Sequence, residues 1–320
     1  MYGRKIVILS IILCILVGFY YFYDTQWVAK QKEEESEAKR IFTYAVETVE
    51  QIRLKNPKGS VVLEKKGKDW FIREPFHALA DTWSVEQIIN TVANEKWERK
   101  LEPLPKDLKV FGLSRPQTEI TFTGTELKRP WTLYVGGENP TNTLLYLRVD
   151  HEPCLFMVRP YFRNYLDKSA DDLRDKHVFR FDKEDVFRVA WQVAGKFFEG
   201  EKKEGRWHLI KPEGEDIPSE DIESLIWQLK SLTFRKVIEK PNHLLSYYGL
   251  AKPTASVQLM NEKGILIGEI NFGQKQKPSP TYFARTGKSE AIYELNYNVV
   301  KGFPGQKSKT EGKPKENKGN

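Results

Sequence analysis

Apolar residues enter this chain first as an unbroken run and then in two alternating periods. From Ile6 to Tyr23 it reads IVILSIILCILVGFYYFY with no charged residue; as a helix this run matches the ~30 Å hydrocarbon core of a bilayer. One transmembrane helix over 6–23 is therefore predicted, with Phe19, Tyr20, Tyr21, Phe22, Tyr23 and Trp27 as an aromatic belt at one interface. A cleaved signal peptide would have a shorter apolar run and a small-residue cleavage site, where this chain has bulky aromatics. Cys14 follows Leu13 in mid-run rather than a small residue, so lipid attachment is not expected there. Ala29 to Arg40 (AKQKEEESEAKR) is then charged throughout without an apolar stripe, the pattern of a solvated stalk over 24–40.

Past residue 41 the period drops to two. Gln51 to Leu54, Ser60 to Lys65 and Asp69 to Arg73 are predicted strands punctuated by Gly59 and Gly67, a β-meander. Val85, Ile88, Ile89 and Val92 then recur at helical spacing after Ser84, a candidate N-cap. A short helix or turn, Pro105 to Phe111, ends at Gly112, where a left-handed C-cap is expected, and Pro116 prevents the helix resuming. Strands at Glu119 to Thr123, Trp131 to Val135, Leu144 to Val149 and Cys154 to Arg159 close the series.

The series then recurs. Trp70-Phe-Ile-Arg-Glu-Pro75 returns as Trp207-His-Leu-Ile-Lys-Pro212, and Phe111-Gly112-Leu113-x-x-Pro116 as Tyr248-Gly249-Leu250-x-x-Pro253. Leu133-x-Val135-Gly136 returns as Ile270-x-Phe272-Gly273, and all three pairs lie 137 residues apart. The openings, Ile41-Phe42 through Leu54 and Val178-Phe179 through Trp191, keep the same spacing, whereas Tyr146-Leu-Arg148 meets Tyr282-Phe-Ala-Arg285 only to within one residue. The second helix carries Asp221, Ile222, Leu225, Ile226 and Leu229, and the second set of closing strands runs over 256–260, 268–272, 281–285 and 291–295.

The expected fold class is α+β: two tandem copies of a mostly antiparallel sheet with packed helices, preceded by one transmembrane helix. Its expected parts are an N-terminus at 1–5, the transmembrane helix at 6–23, the stalk at 24–40 and repeat one at 41–168. A connector at 169–177, repeat two at 178–303 and a disordered basic tail at 304–320 complete the chain.

Composition supports two cores: 320 residues, 40% hydrophobic, 30% charged and with eight Trp, is not the make-up of a disordered chain. The formal charge of +7 brings nucleic acid or anionic lipid into view as partners, but it sits at the ends. Arg4 and Lys5 lie at one, and five Lys against two Glu in 304–320 at the other, leaving +2 for residues 6–303. A body without a basic stripe is not expected to bind nucleic acid. Basic residues before the apolar run and balanced charge after it predict a single-pass membrane protein, N-terminus cytoplasmic and body periplasmic or extracytoplasmic. Cys14 and Cys154 offer no internal disulfide, and Cys154-Leu-Phe-Met-Val158 reads as a core strand.

Four features in this order and duplication resemble the bacterial family called domain of unknown function 4340, over about 41–303. They are the W-x-x-x-x-P followed by Ala80-Asp81, the aromatic-Gly-Leu-x-x-Pro, the hydrophobic-Gly before a Tyr-containing strand, and Asp172-Leu173-Arg174-Asp175-Lys176 at the junction. The second copy departs at Ile217-Pro218, which stands in place of Ala80-Asp81. The resemblance implies a membrane-anchored extracytoplasmic protein associated with a gliding-motility-type ABC transport system, its permease and an auxiliary subunit. It carries over no catalytic residues.

The residues themselves name no chemistry. The five His, at 77, 151, 177, 208 and 243, never occur as H-x-x-x-H or H-x-H, so neither a metal nor a cofactor is expected. Gly287-Lys288-Ser289 has Tyr282 where a P-loop needs its upstream Gly and reads as a hairpin turn. Neither a Gly-x-Ser-x-Gly elbow nor a Gly-x-Gly-x-x-Gly loop occurs. Asp171 to Asp175 reads as a capped, salt-bridged connector rather than a ligand cluster. Trp70, Trp131 and Trp207 read as core rather than as a carbohydrate-binding face, while Trp83 and Trp97 flank a helix whose outer face is a candidate interface. No catalytic, cofactor or metal residue is assigned. The expected function is a non-catalytic accessory or binding subunit of an ABC-type transport complex, with protein partners there and its small-molecule ligand open. The alternative is a cell-envelope polymer-binding protein or hydrolase.

Overall fold

The computed structural model describes the chain at residues 2–275, 280–287 and 289–306, in two units, Met1–Asp175 and Lys176–Asn320. The first opens with α1 (Tyr2–Phe22), a π-helical turn at Tyr23–Val28 and α2 (Ala29–Glu37). A helix therefore stands where the transmembrane segment is predicted. Among the described residues, however, no helix is long and apolar enough to cross a membrane.

The body of the first unit is one antiparallel sheet. Its strands are β1 (Gln51–Asn56), β2 (Gly59–Lys66), β3 (Asp69–Glu74), β4 (Ala78–Leu79), β5 (Arg99–Leu101), β6 (Thr118–Thr123), β7 (Trp131–Glu138), β8 (Leu145–Val149) and β9 (Leu155–Val158). They lie in the order β4-β3-β2-β1-β6-β7-β8-β9-β5. Alternation fixes the faces: in β1, Ile52, Leu54 and Asn56 are buried while Gln51, Arg53 and Lys55 are exposed. On the buried side lies α3 (Thr82–Asn94), which covers Val85, Ile88, Ile89, Val92 and Ala93. Each of its larger apolar side chains contributes about 1.5–3 kcal/mol. Trp70, Phe42 and Phe122 are the bulkiest members of this core. The short α4 (Phe162–Leu166) adds Phe162 and Leu166.

Local details correct the sequence reading. The N-cap of α3 is Asp81 rather than Ser84: the Asp81 carboxylate accepts the Ser84 N–H at 3.3 Å, and Ser84 is the third helical residue, where a cap's bond lands. Cys154 is fully buried but immediately precedes β9 instead of lying in it. Strands β4 and β5 and helix α4 were not predicted. Arg99-Lys100-Leu101 has no apolar alternation and is a strand because it pairs with Leu155–Met157 of β9.

The second unit repeats the plan with β10 (Arg188–Val193), β11 (Lys196–Lys203), β12 (Arg206–Lys211), α5 (Ser219–Lys230), β13 (Phe234–Ile238), β14 (Ala255–Met260), β15 (Leu266–Lys275), β16 (Thr281–Thr286) and β17 (Ile292–Leu295). The sheet order is β12-β11-β10-β14-β15-β16-β17-β13, so it ends at β12 where the first unit adds β4. Trp191, Phe198 and Phe272 anchor the core. The Trp191 indole N–H donates to the Pro304 carbonyl at 3.0 Å, and Gly305 lies so close to the Phe198 ring that a Cβ would come within 2.3 Å. The first residues of the predicted tail thus pack on this core, while 307–320 lie outside the described residues.

The predicted connector is divided between the units. Its first part belongs to the first: the Asp172 carboxylate accepts from the Ser169 N–H and hydroxyl, both at 2.9 Å. Leu173 is fully buried, and its carbonyl accepts the Asp81 N–H while the Asp175 N–H donates to Leu79. The second unit begins with the Lys176 carbonyl accepting the Phe234 N–H.

Candidate functional site

Two of the repeated motifs form one structural device. The 3-10 turns Lys109–Phe111 and Leu245–Tyr248 end at Gly112 and Gly249, with φ of 69° and 70°. A Cβ on Gly112 would fall 2.6 Å from the backbone nitrogen of Gly137, and one on Gly249 2.6 Å from the carbonyl oxygen of Gln274. Facing them, a Cβ on Gly136 or Gly273 would fall 2.3 Å from the carbonyl of Phe111 or Tyr248. Turn glycine and strand glycine thus touch backbone to backbone, which is why the motifs occur together. The aromatic before each turn glycine packs edge to face on the strand that follows the glycine-bearing one: Phe111 on Tyr146 of β8 at 4.9 Å, and Tyr248 on Phe283 of β16 at 5.2 Å.

This geometry corrects the alignment of the repeats. Tyr146 corresponds to Phe283 rather than to Tyr282, and Arg148 to Arg285, which restores the spacing of 137. The apparent one-residue slip comes from matching Tyr to Tyr; what differs is the backbone, since in the first unit Val135 pairs with Leu147 and Glu138 with Leu145, a bulge at Gly136-Gly137. In the second unit Phe272, Gly273 and Gln274 pair without a break to Ala284, Phe283 and Tyr282.

The repeats differ in the side chains around Trp70. This residue is fully buried at the floor of a cavity of about 240 Å³ bordered by Glu47, Lys65, Glu86 and Asn90. Its indole N–H has no hydrogen-bond partner, and a buried donor left unpaired costs about 1–3 kcal/mol. At the positions 137 residues on, Trp227 replaces Asn90 and Lys183 replaces Val46; the Lys183 ammonium lies over the Trp227 ring at 4.4 Å.

The model of the family described as Domain of unknown function (DUF4340) matches residues 70–219 and again 207–309, each match opening on the Trp of a W-x-x-x-x-P motif. The chain belongs to this family. Its two domains of unknown function are tandem copies, and the bulged glycine corner and the Trp70 cavity are two of the places where the first departs from the second. No curated protein and no solved structure matches the chain.

The structure spreads the remaining candidate residues over both DUF4340 copies. His77, His151, His177, His208 and His243 are all exposed, and among the described residues no group of three or more His, Cys, Asp or Glu is placed to hold a metal. Trp207 is buried like Trp70, and Trp131 is half-buried, stacked on Phe122 at 5.7 Å. Trp83 is 67% exposed on α3. Gly287 forms the turn after β16, and Lys288 lies outside the described residues.

Trp97 marks a junction that sequence reading missed. Its N–H donates to the Lys39 carbonyl, and the Ile41 N–H donates to the Glu95 carbonyl. The Lys96 ammonium reaches the Ser36 hydroxyl at 2.6 Å and Glu37 at 3.2 Å, so the stalk's end is tied to the segment after α3. The Glu95 side chain is 8% exposed there. Burial pushes its carboxyl up to about 7, Glu98 adding like-charge repulsion and Arg159 opposing it.

Proposed function

We propose that this protein is a membrane-anchored, non-catalytic accessory or binding subunit of an ABC-type transport complex of the gliding-motility kind, its body extracytoplasmic. One observation carries the reading. Val7, Ile11, Ile12, Leu13, Ile15, Leu16 and Val17 of α1 are each at least half exposed. Because successive helical residues turn by about 100°, these positions leave apolar surface on every face of the helix. Such a surface calls for lipid or for the helices of an integral partner. The basic Arg4 and Lys5 before it orient the body outward.

The repeated motifs support a binding rather than a catalytic role, because they are spent on packing: cap, glycine corner and edge-to-face aromatics. The transport setting is the one expected of the family. Crosslinking in intact cells, followed by purification through a C-terminal tag and mass spectrometry, tests it. Recovery of a permease and an ATPase subunit is the expected result; recovery of the protein alone would overturn the docking. Release from membranes by alkaline carbonate would overturn the anchor.

A further inference from the structure

We propose that the Trp70 cavity of the first unit binds a small ligand carrying both an amino group and an acceptor oxygen, the chemistry shared by amino acids and amino sugars. The floor is a fully buried indole whose N–H has no partner. Around it, the side chains of Glu47, Glu86 and Asn90 make no hydrogen bond or ion pair among the described residues, and Lys65 makes only a ring contact, its ammonium 5.9 Å from the centre of Trp70. Elsewhere on this sheet Lys55 pairs with Glu119 and Arg73 with Glu64. Two carboxylates against one ammonium leave the rim net negative, which favours a cationic ligand. Its amino group is matched by Glu47 and Glu86, and its oxygen by the Trp70 N–H and Lys65. These four groups border one cavity of about 240 Å³, which limits the ligand to a small molecule.

The second unit serves as an internal control. Trp227 and Lys183 occupy the places of Asn90 and Val46 and bind each other, and Glu184, in the place of Glu47, lies 3.9 Å from the Lys183 ammonium. The places of Glu47 and Asn90, open in the first unit, are thus engaged in the second.

Calorimetric titration of the full chain in detergent, with glycine and glucosamine as separate probes and acetate and glucose as their amine-free counterparts, tests the site. Saturable binding of at least one amine probe is expected, and which one binds separates the two ligand sources. Glu86→Gln should weaken it by about tenfold or more through loss of a charged partner, and Asn90→Trp, which copies the second unit, should abolish it. Glu223→Gln, at the matching position of the second unit, should leave it unchanged. Glu86 and Asn90 are exposed on α3, so neither change disturbs the core. Absence of binding by both amine probes, equal binding of acetate or glucose, or an unaffected Glu86→Gln variant would each overturn the proposal.

Discussion

The glycine corner gives the sharpest quantitative expectation. Gly249→Ala places a methyl group on a residue with φ of 70°, 2.6 Å from the carbonyl oxygen and 2.7 Å from the nitrogen of Gln274. The left-handed conformation alone costs an L-residue about 1–2 kcal/mol. The overlap adds a further ~1–3 kcal/mol, because a strand's backbone cannot rotate aside as a side chain can. A total of about 3 kcal/mol corresponds to roughly a hundredfold more frequent opening. Gly205→Ala is the matched control: its φ is 80°, but nothing lies within 4 Å of the added carbon, so only the conformational cost applies. A chain of two units has no single unfolding free energy, so the readout is native-state hydrogen exchange in β14 and β15, with β6 and β7 as internal reference. If the two variants shift exchange equally, close approach is not what pairs these glycines, and the packing account of the motif fails.

Asn56→Ala should loosen the first unit by about 2–3 kcal/mol, because the Asn56 amide donates to the carbonyls of Leu166 and Lys168 at 2.7 and 2.8 Å; unchanged exchange in β1 and β2 would contradict this. Glu95 is an acid whose folded value is raised to about 7, so the folded unit keeps a proton the unfolded chain has released. Stability from this group is full below the ordinary carboxylate range and lost as pH rises through about 7. Glu95→Gln should flatten that loss, seen as the wild-type minus variant difference in unfolding across pH; a difference that does not change with pH would refute the assignment. Burial pushes the Cys154 thiol up, so in a Cys14→Ser background maleimide should label the native chain only after denaturation, and rapid native labelling would show the site is open.

Sequence alone determined whatever rests on local period and duplication. The strands of the meander, α3 and α5, the left-handed Gly112 and Gly249, and the tandem α+β plan all follow from alternation, helical spacing and a recurrence at 137 residues, since each element's buried face is written in its own residues. Tertiary structure decided the rest. Arg99–Leu101 became a strand only through a partner more than fifty residues away, and Asp81 displaced Ser84 as cap because the choice depends on where the chain enters the helix. The slip between Tyr146 and Tyr282 was visible as a miscount, but only strand pairing showed that Tyr146 answers to Phe283 and that the first unit is bulged at Gly136-Gly137. Trp70 was read as core and is core; that its N–H is unpaired beneath Glu47, Glu86 and Asn90 depends on side chains from three separate segments meeting over one ring, and no spacing along the chain encodes such a meeting.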